Sequence, residues 1–398
     1  MMPYEGLVID YNQDDWGQIT LEDHLGGGAY GDVFRGVEVG SGREITVKII
    51  RNVESDLEEY RVKNEAAIDV DCEHIVPVVS SKKEDATTWI ILFKYFKAKS
   101  LDSVIDESAG SSVPHYKHYT EQLILALHAA HSNNIIHRDI KPGNILISDH
   151  SASSPGTLRV IDFGVSKLRA GESMTLPEVP IGTRPYMCPS VFGFGGKDAT
   201  FGADIFSFGI TVAEMVLGKH PWWKPDFKSI KENVELQLKS GQDSMVNIDL
   251  INAVDSSFTS LIAKSTAIET SGRARQWSEI AKMIGLELEL EDLGDVTFNG
   301  QCHLMNLSGI NEGGVIPISL EEGEELVLGR DKISITNKRI SRKHITLKFE
   351  DEKLLIEDMG SKNGTWLDGE KLQAGDPAEA FSGSKLRVED MFIEIVFR

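Results

Sequence analysis

Three glycines stand at a spacing that could hold phosphate. Gly26, Gly28 and Gly31 fall in Leu25-Gly-Gly-Gly-Ala-Tyr-Gly-Asp-Val33, a G-x-G-x-x-G-x-V arrangement between two strand-like runs. Backbone without side chains can close over phosphate oxygens, but a glycine-rich hairpin turn or a dinucleotide loop carries the same letters. The strand context argues against the dinucleotide loop. Lys48 ends the apolar strand Ile45-Thr46-Val47-Lys48, where it could snorkel to solvent or meet nucleotide phosphates. Its carboxylate partner would be Glu65, in a helical stretch; taken alone, both read as surface charges. Farther on come His137-Arg138-Asp139-Ile140-Lys141-Pro142-Gly143-Asn144 and Val160-Ile161-Asp162-Phe163-Gly164. A second constellation follows: Leu328-Gly329-Arg330, Ile340-Ser341-Arg342-Lys343-His344 and Asp358-Met-Gly-Ser-Lys-Asn363-Gly364-Thr365. A bound phosphate needs guanidinium donors, a hydroxyl and loop amides, and Arg330 with Ser341 supply the first two. A β-sandwich that binds nothing, with Asn363-Gly364 as a plain hairpin turn, fits the same letters.

Taken in order, the glycine loop, Lys48, Glu65 and the two motifs around Asp139 and Asp162 resemble the eukaryotic-type (Hanks-type) protein kinase family over about residues 19–285. The resemblance implies ATP held between a β-rich lobe and a helical lobe. It implies that Gly26, Gly28, Gly31 and Val33 cover the nucleotide, and that Lys48 holds the α- and β-phosphates while Glu65 fixes its ammonium. Lys94 and Phe96 would lie in the hinge, where adenine contacts use backbone groups. Asn144 and Asp162 would coordinate Mg²⁺, or Mn²⁺, through oxygen. Asp139 would orient the acceptor hydroxyl and take its proton. Lys141 resembles the serine/threonine branch, in which this lysine helps neutralise the transferred phosphate. His137 is expected to pack beneath Phe163 rather than act as a base, and Asp204 to brace the catalytic loop.

Between Asp162 and Pro189 lies a stretch similar to an activation segment. Ser173 or Thr175 could carry a phosphate that orders it through arginine contacts, with Arg138 beside the expected base, or both could be plain loop residues. The loop 182–187 resembles the substrate-side loop of protein kinases and favours a peptide substrate. One departure stands out: Cys188-Pro189-Ser190 replaces the family's Ala-Pro-Glu. Arg273, at the partner position of the missing carboxylate, is expected to be left as an uncompensated buried charge, at a cost of several kcal/mol unless the local structure differs or admits water.

The second constellation resembles a forkhead-associated (FHA) domain over about residues 302–398. That resemblance implies an eleven-strand β-sandwich whose loops at one end bind phosphothreonine peptides. Arg330 and Ser341 would take the phosphate and Asn363 would grip the peptide backbone. Arg342 and Lys362 would add positive charge at the rim, with His344 and Gly364 holding the loops.

These residues need particular elements behind them. Runs between residues 19 and 91 read mostly as strands, with a helix over 56–67; apolar spacing predicts helices over 118–131, 203–217 and 233–238. Residues 286–292 alternate Leu with Glu, and after 300 short strands separated by Asn-Gly and Asp-Gly turns predict an all-β unit. The fold class is α+β: a two-lobed protein kinase fold followed by a separate FHA sandwich. The expected division is an N-terminal extension (1–18), a kinase domain (19–285), an acidic linker (286–300) and an FHA domain (301–398).

The formal charge of -21 repels polyanions at long range, so nucleic acid is not an expected partner. Three scattered cysteines, Cys72, Cys188 and Cys302, indicate neither a disulfide framework nor a zinc ribbon. No secretory signal and no membrane span is read, which predicts a cytoplasmic protein. The expected activity is transfer of the ATP γ-phosphate to protein serine or threonine hydroxyls. The expected partners are phosphothreonine proteins or the chain's own activation segment. A pseudokinase scaffold is opposed by the intact Lys48, Asp139, Asn144 and Asp162; a small-molecule kinase is opposed by Lys141 and the loop 182–187.

Overall fold

The computed structural model describes residues 6–28, 31–133, 135–151, 153–163, 184–189, 201–222, 243–268, 272–274, 276–286, 300–308, 315–333, 339–368, 370–381, 384–389 and 391–397. The helix expected over 233–238, the acidic segment after Leu286, and Ser173 and Thr175 lie outside these residues.

Alternating apolar residues make the first sheet. Strands β1 (Val8–Gln13), β2 (Trp16–Gly28), β3 (Gly31–Glu38), β4 (Glu44–Ile50), β5 (Val78–Lys83) and β6 (Trp89–Lys94) pair in the order β1-β2-β3-β4-β6-β5, all antiparallel. One face buries Ile19, Leu21, Phe34, Ile45 and Val47 together with Tyr11 and Trp16. The other buries Ile50, Trp89 and Ile91 with Val62 of helix α1 (Asp56–Ala66). Side chains alternate along a strand, so Lys48 shares the α1 face with Ile50. Helix α1 starts at a capping box, in which Ser55 accepts from the Glu58 amide and Glu58 accepts from the Ser55 amide. Strand β1 comes from the segment expected only to precede the fold.

Strands β7 (Ala98–Ser100), β8 (Ile145–Ser148) and β9 (Thr157–Val160) form a small sheet in the order β7-β8-β9. Around it pack α2 (Leu101–Glu107), α3 (Tyr116–Ser132), α4 (Phe201–Leu217), α5 (Ile248–Val254), α6 (Thr259–Ser265) and α7 (Trp277–Met283). Helix α4 is buried on every side from Asp204 onward, as befits an apolar helix at the centre of a lobe. Leu123, Leu127, Phe206, Phe208, Ile262 and Trp277 lie in its core.

The C-terminal unit has strands β10 (Gln301–Ser308), β11 (Val315–Ser319) and β12 (Glu325–Leu328), the short helix α8 (Arg330–Ile333), then β13 (Ile345–Glu350), β14 (Lys353–Asp358), β15 (Thr365–Leu367), β16 (Glu370–Lys371), β17 (Ala378–Ala380), β18 (Lys385–Val388) and β19 (Met391–Phe397). One sheet runs β11-β10-β19-β18-β15-β16 and the other β12-β13-β14-β17. Leu328, Ile345, Leu347, Ile356, Leu386 and Ile395 fill a core separate from those of the other lobes. Ten strands form among the described residues, against the eleven implied. No helix among the described residues is long and apolar enough to cross a membrane.

Candidate functional site

Cross-strand register lines up part of the first constellation. Gly26 pairs with Val33, Val33 with Lys48 and Lys48 with Ile91, giving one row across four strands. Directly paired residues share a sheet face, so the glycine, the valine and the lysine look toward α1. Gly28 pairs with Gly31 to close the hairpin. Gly31 has φ 132°, and a side chain there would collide with the Ile49 carbonyl. That position therefore demands glycine.

The Lys48 ammonium is buried and ion-paired to Glu65 of α1, and it also donates to Asp162 Oδ1 at 2.9 Å. Burial works against the ammonium, but the Glu65 and Asp162 carboxylates outweigh it and hold its pKa above the ordinary lysine value. Burial likewise opposes the Asp162 carboxylate, and Lys48 chiefly reverses that, so Asp162 sits below the usual range. Asp162 has φ 56° and Arg138 φ 65°. Non-glycine residues in this left-handed region mark backbone held by its surroundings, as happens at functional sites.

Asp139 is almost fully buried. Asn144 donates its amide to both the Asp139 carboxylate, at 2.6 Å, and the Asp139 carbonyl, at 2.8 Å. Lys141 Nζ lies 3.0 Å from the same Asp139 oxygen. Burial lowers the Lys141 pKa, with Asp162 and Asp102 opposing it. His137 is fully buried: Nε2 lies 2.9 Å from the Ile161 carbonyl and Nδ1 accepts from the Asp139 amide, while its ring meets Phe163 at 4.7 Å between centroids. A carbonyl only accepts, so the proton sits on Nε2 and the ring is a structural link, as expected.

Asp204 of α4 holds this loop from behind. Its carboxylate accepts the amides of His137 and Arg138, each at 2.7 Å, and lies 2.9 Å from His131 Nε2 of α3. Trp277 of α7 donates in turn to His131 Nδ1 at 3.0 Å. Burial raises the carboxylate's pKa, but these donors more than reverse the effect and keep it below the ordinary range.

At the hinge, Lys94 is the exposed last residue of β6, and its amide donates to the Pro77 carbonyl. Two cations lie over Phe96, the Arg159 guanidinium 4.0 Å and Lys94 Nζ 5.4 Å from its ring centre. Of the loop 182–187, Pro185, Tyr186 and Met187 have described side chains. Tyr186 donates to Glu214 of α4 at 2.7 Å, and Ser207 donates to the Tyr186 carbonyl at 2.8 Å. Burial pushes Glu214 up to about 7, Tyr186 opposing it and Asp102 and Asp106 adding to it. The Tyr186–Glu214 pair carried no signal beyond a tyrosine and an acid on an apolar helix. Arg273 is buried, and its described partners are backbone carbonyls and a ring, a local arrangement that differs from a carboxylate pair, as the departure at Cys188-Pro189-Ser190 led us to expect. Its guanidinium donates to the carbonyls of Ala267, Ile268 and Gly202 and lies over Phe206 at 5.3 Å.

The second constellation converges on the loops between β12 and β15. The Arg330 amide donates to the Ser341 carbonyl at 3.0 Å, and Arg330 Nε to the Ile340 carbonyl at 2.9 Å. A side chain at Gly329 would strike the Arg342 carbonyl, so glycine lets the two loops touch. Buried His344 accepts from the Ser341 amide at 3.1 Å and lies 3.3 Å from the Gly364 carbonyl. The Lys362 amide donates to Ser341 Oγ at 3.3 Å, and Asn363 donates to the Arg339 carbonyl at 3.0 Å. Arg342 and Lys362 are exposed beside them.

Comparison with known proteins accords with this geometry. Residues 326–389 match the FHA domain family. The chain is 29% identical over 206 residues to the serine/threonine-protein kinase PknA of Corynebacterium glutamicum, covering 50% of this chain and 42% of PknA. It is 28% identical over 282 residues to the serine/threonine-protein kinase PrkC of Bacillus subtilis, covering 70% of this chain and 41% of PrkC. It is 32% identical over 208 residues to the mitogen-activated protein kinase kinase kinase ANP1 of Arabidopsis thaliana, covering 50% of this chain and 30% of that protein. The chain thus spans less than half the length of each of these relatives. Residues 19–282, more than half of the chain, match the protein kinase domain family, and the chain belongs to that family.

Proposed function

We propose that this chain is an active serine/threonine protein kinase that transfers the ATP γ-phosphate to protein hydroxyls, with an FHA module that reads phosphothreonine. The observation that carries the reading is Lys48 bonded at once to Glu65 and Asp162. In this arrangement a buried ammonium is charged, fixed in place and next to a carboxylate able to take a divalent cation. Asp162, with a side chain 37% exposed, and the Asn144 amide oxygen offer the few oxygen donors that Mg²⁺ needs beside phosphate. ATP supplies the transferable phosphoryl group and Mg²⁺ neutralises its charge when both are bound. Lys48 holds the inner phosphates. Asp139, oriented by Asn144, accepts the proton of a serine or threonine hydroxyl as its oxygen bonds to the γ-phosphorus and ADP departs. Lys141 steadies the transferred group.

The chain divides, in this reading, into an extension (1–18), kinase domain (19–285), acidic linker (286–300) and FHA domain (301–398); the separate C-terminal core supports the last division, whereas Tyr11 and Trp16 of the extension share the first sheet's core. In the last, Arg330 and Ser341 take the phosphate, Asn363 the peptide backbone, and Arg342 and Lys362 the rim. Ser173 and Thr175 remain the activation-segment acceptors that such a reader would find in its own chain.

The test is incubation of the full chain and of Asp139→Ala with Mg²⁺-ATP and peptide acceptors, followed by mapping of phosphosites by mass spectrometry. Phosphoserine or phosphothreonine in the parent is expected, with a drop of about 10²- to 10⁴-fold in the variant. Absence of phosphate in both would leave a scaffold.

A further inference from the structure

Among the described side chains of helix α1, those buried are Arg61, Val62 and Glu65. Its residues are mostly charged or amide, and Val62 is its buried apolar anchor in that lobe's core. A helix so polar around its circumference depends on partners other than a core. Two of those partners are ionic: the buried Lys48–Glu65 pair, and Lys83 with Glu59 at 2.6 Å. The second is partly exposed and contributes little.

A third partner comes from the far end of the chain. Tyr60 of α1 meets His303 of β10, with ring centres 4.9 Å apart, planes tilted by 59°, and Tyr60 Oη 3.2 Å from His303 Nδ1. Strand β11, the edge of that sheet, also packs along α1. Both rings are half-buried. His303 is well anchored, since its strand pairs with Pro317 of β11 on one side and Val396 of β19 on the other. The loops carrying Arg330, Ser341 and Asn363 are built from other elements.

We propose that the C-terminal module is an intramolecular brace for α1. The β10–β11 edge holds Tyr60 through His303 and thereby keeps Glu65 on Lys48. Tyr60 precedes Glu65 by five residues, about 7.5 Å along the axis, so a short helix carries displacement at one directly to the other. The module then has two surfaces with separate tasks, a loop end for ligand and a strand edge for the kinase lobe. The catalytic consequence rests on the phosphotransfer reading above; the brace itself does not.

The test uses the full chain as parent, Tyr60→Ala, His303→Ala and the double variant, read by hydrogen exchange and by steady-state turnover of a peptide with saturating ATP. Each single change is expected to speed exchange across residues 56–66 and to lower kcat by about five-fold, the double being no worse than either single. Unchanged exchange in α1, or additive effects in the double variant, would overturn the brace. Faster exchange spreading through β13 and β14 in His303→Ala would mark a damaged module, and Tyr60→Ala, on the other side of the contact, then decides alone. A parent without phosphotransfer but with α1 loosened by both changes would overturn the kinase reading and keep the brace.

Discussion

Glu214 is the buried acid with the clearest pH signature. Its pKa stands near 7, well above an ordinary 4.5, so between those values the folded chain holds a proton that the unfolded chain releases. Stability therefore falls as pH rises through this window and is lowest above the folded value. Glu214→Gln keeps an acceptor for Tyr186 and should remove that slope, a gain on the order of 3 kcal/mol at alkaline pH. Thermal melts of parent and variant on either side of the window check it; parallel curves would reject the assignment. Residue chemistry was largely legible in the sequence where a motif is contiguous, as around Asp139 and Asp162. The partners of Arg273 were not legible, for a physical reason. Side-chain types revealed the absent glutamate but not where the carbonyls of Ala267 and Ile268 point, and those carbonyls receive its charge.

At the scale of elements, the glycines of the first sheet have opposite tasks. A methyl group at Gly36 would come within 2.7 Å of Ile19 Cγ2 and 2.8 Å of Val47 Cγ2, so Gly36→Ala overpacks the sheet and should cost about 1–3 kcal/mol. Gly26 has open space where a side chain would stand, so Gly26→Ala should stay within about 0.5 kcal/mol of the parent and weaken nucleotide binding instead. Denaturant midpoints and ATP titrations separate the two, and similar stability losses in both would contradict the distinction. Helices α3 and α4 were readable from apolar spacing within a few residues of their ends, and α1 was placed over 56–67. Strand β1 was not readable, because Asp10 within it and Asp14 and Asp15 in the turn that follows mask the alternation that brings Tyr11 into the core.

On the scale of the whole molecule, the two proposed phosphate-handling sites share an acidic chain. Charge at -21 makes the local cations at Arg330, Arg342 and Lys362 stand against a repelling background. Arg330→Ala should weaken binding of a phosphothreonine peptide by more than about tenfold, the scale of a lost charge-assisted hydrogen bond; fluorescence anisotropy measures it, and unaltered affinity would refute the assigned contact. The Tyr60–His303 contact was invisible in sequence, since two unremarkable residues 243 positions apart carry no mutual signal. The relay from Trp277 through His131 to Asp204 has another consequence, for dissection of the chain. Catalytic-loop alignment depends on an indole near the end of the helical lobe. Proteolytic trimming from that side therefore meets its limit at α7: a fragment ending before Trp277 keeps Asp204 and every proposed catalytic side chain yet loses the indole that holds His131 against that carboxylate.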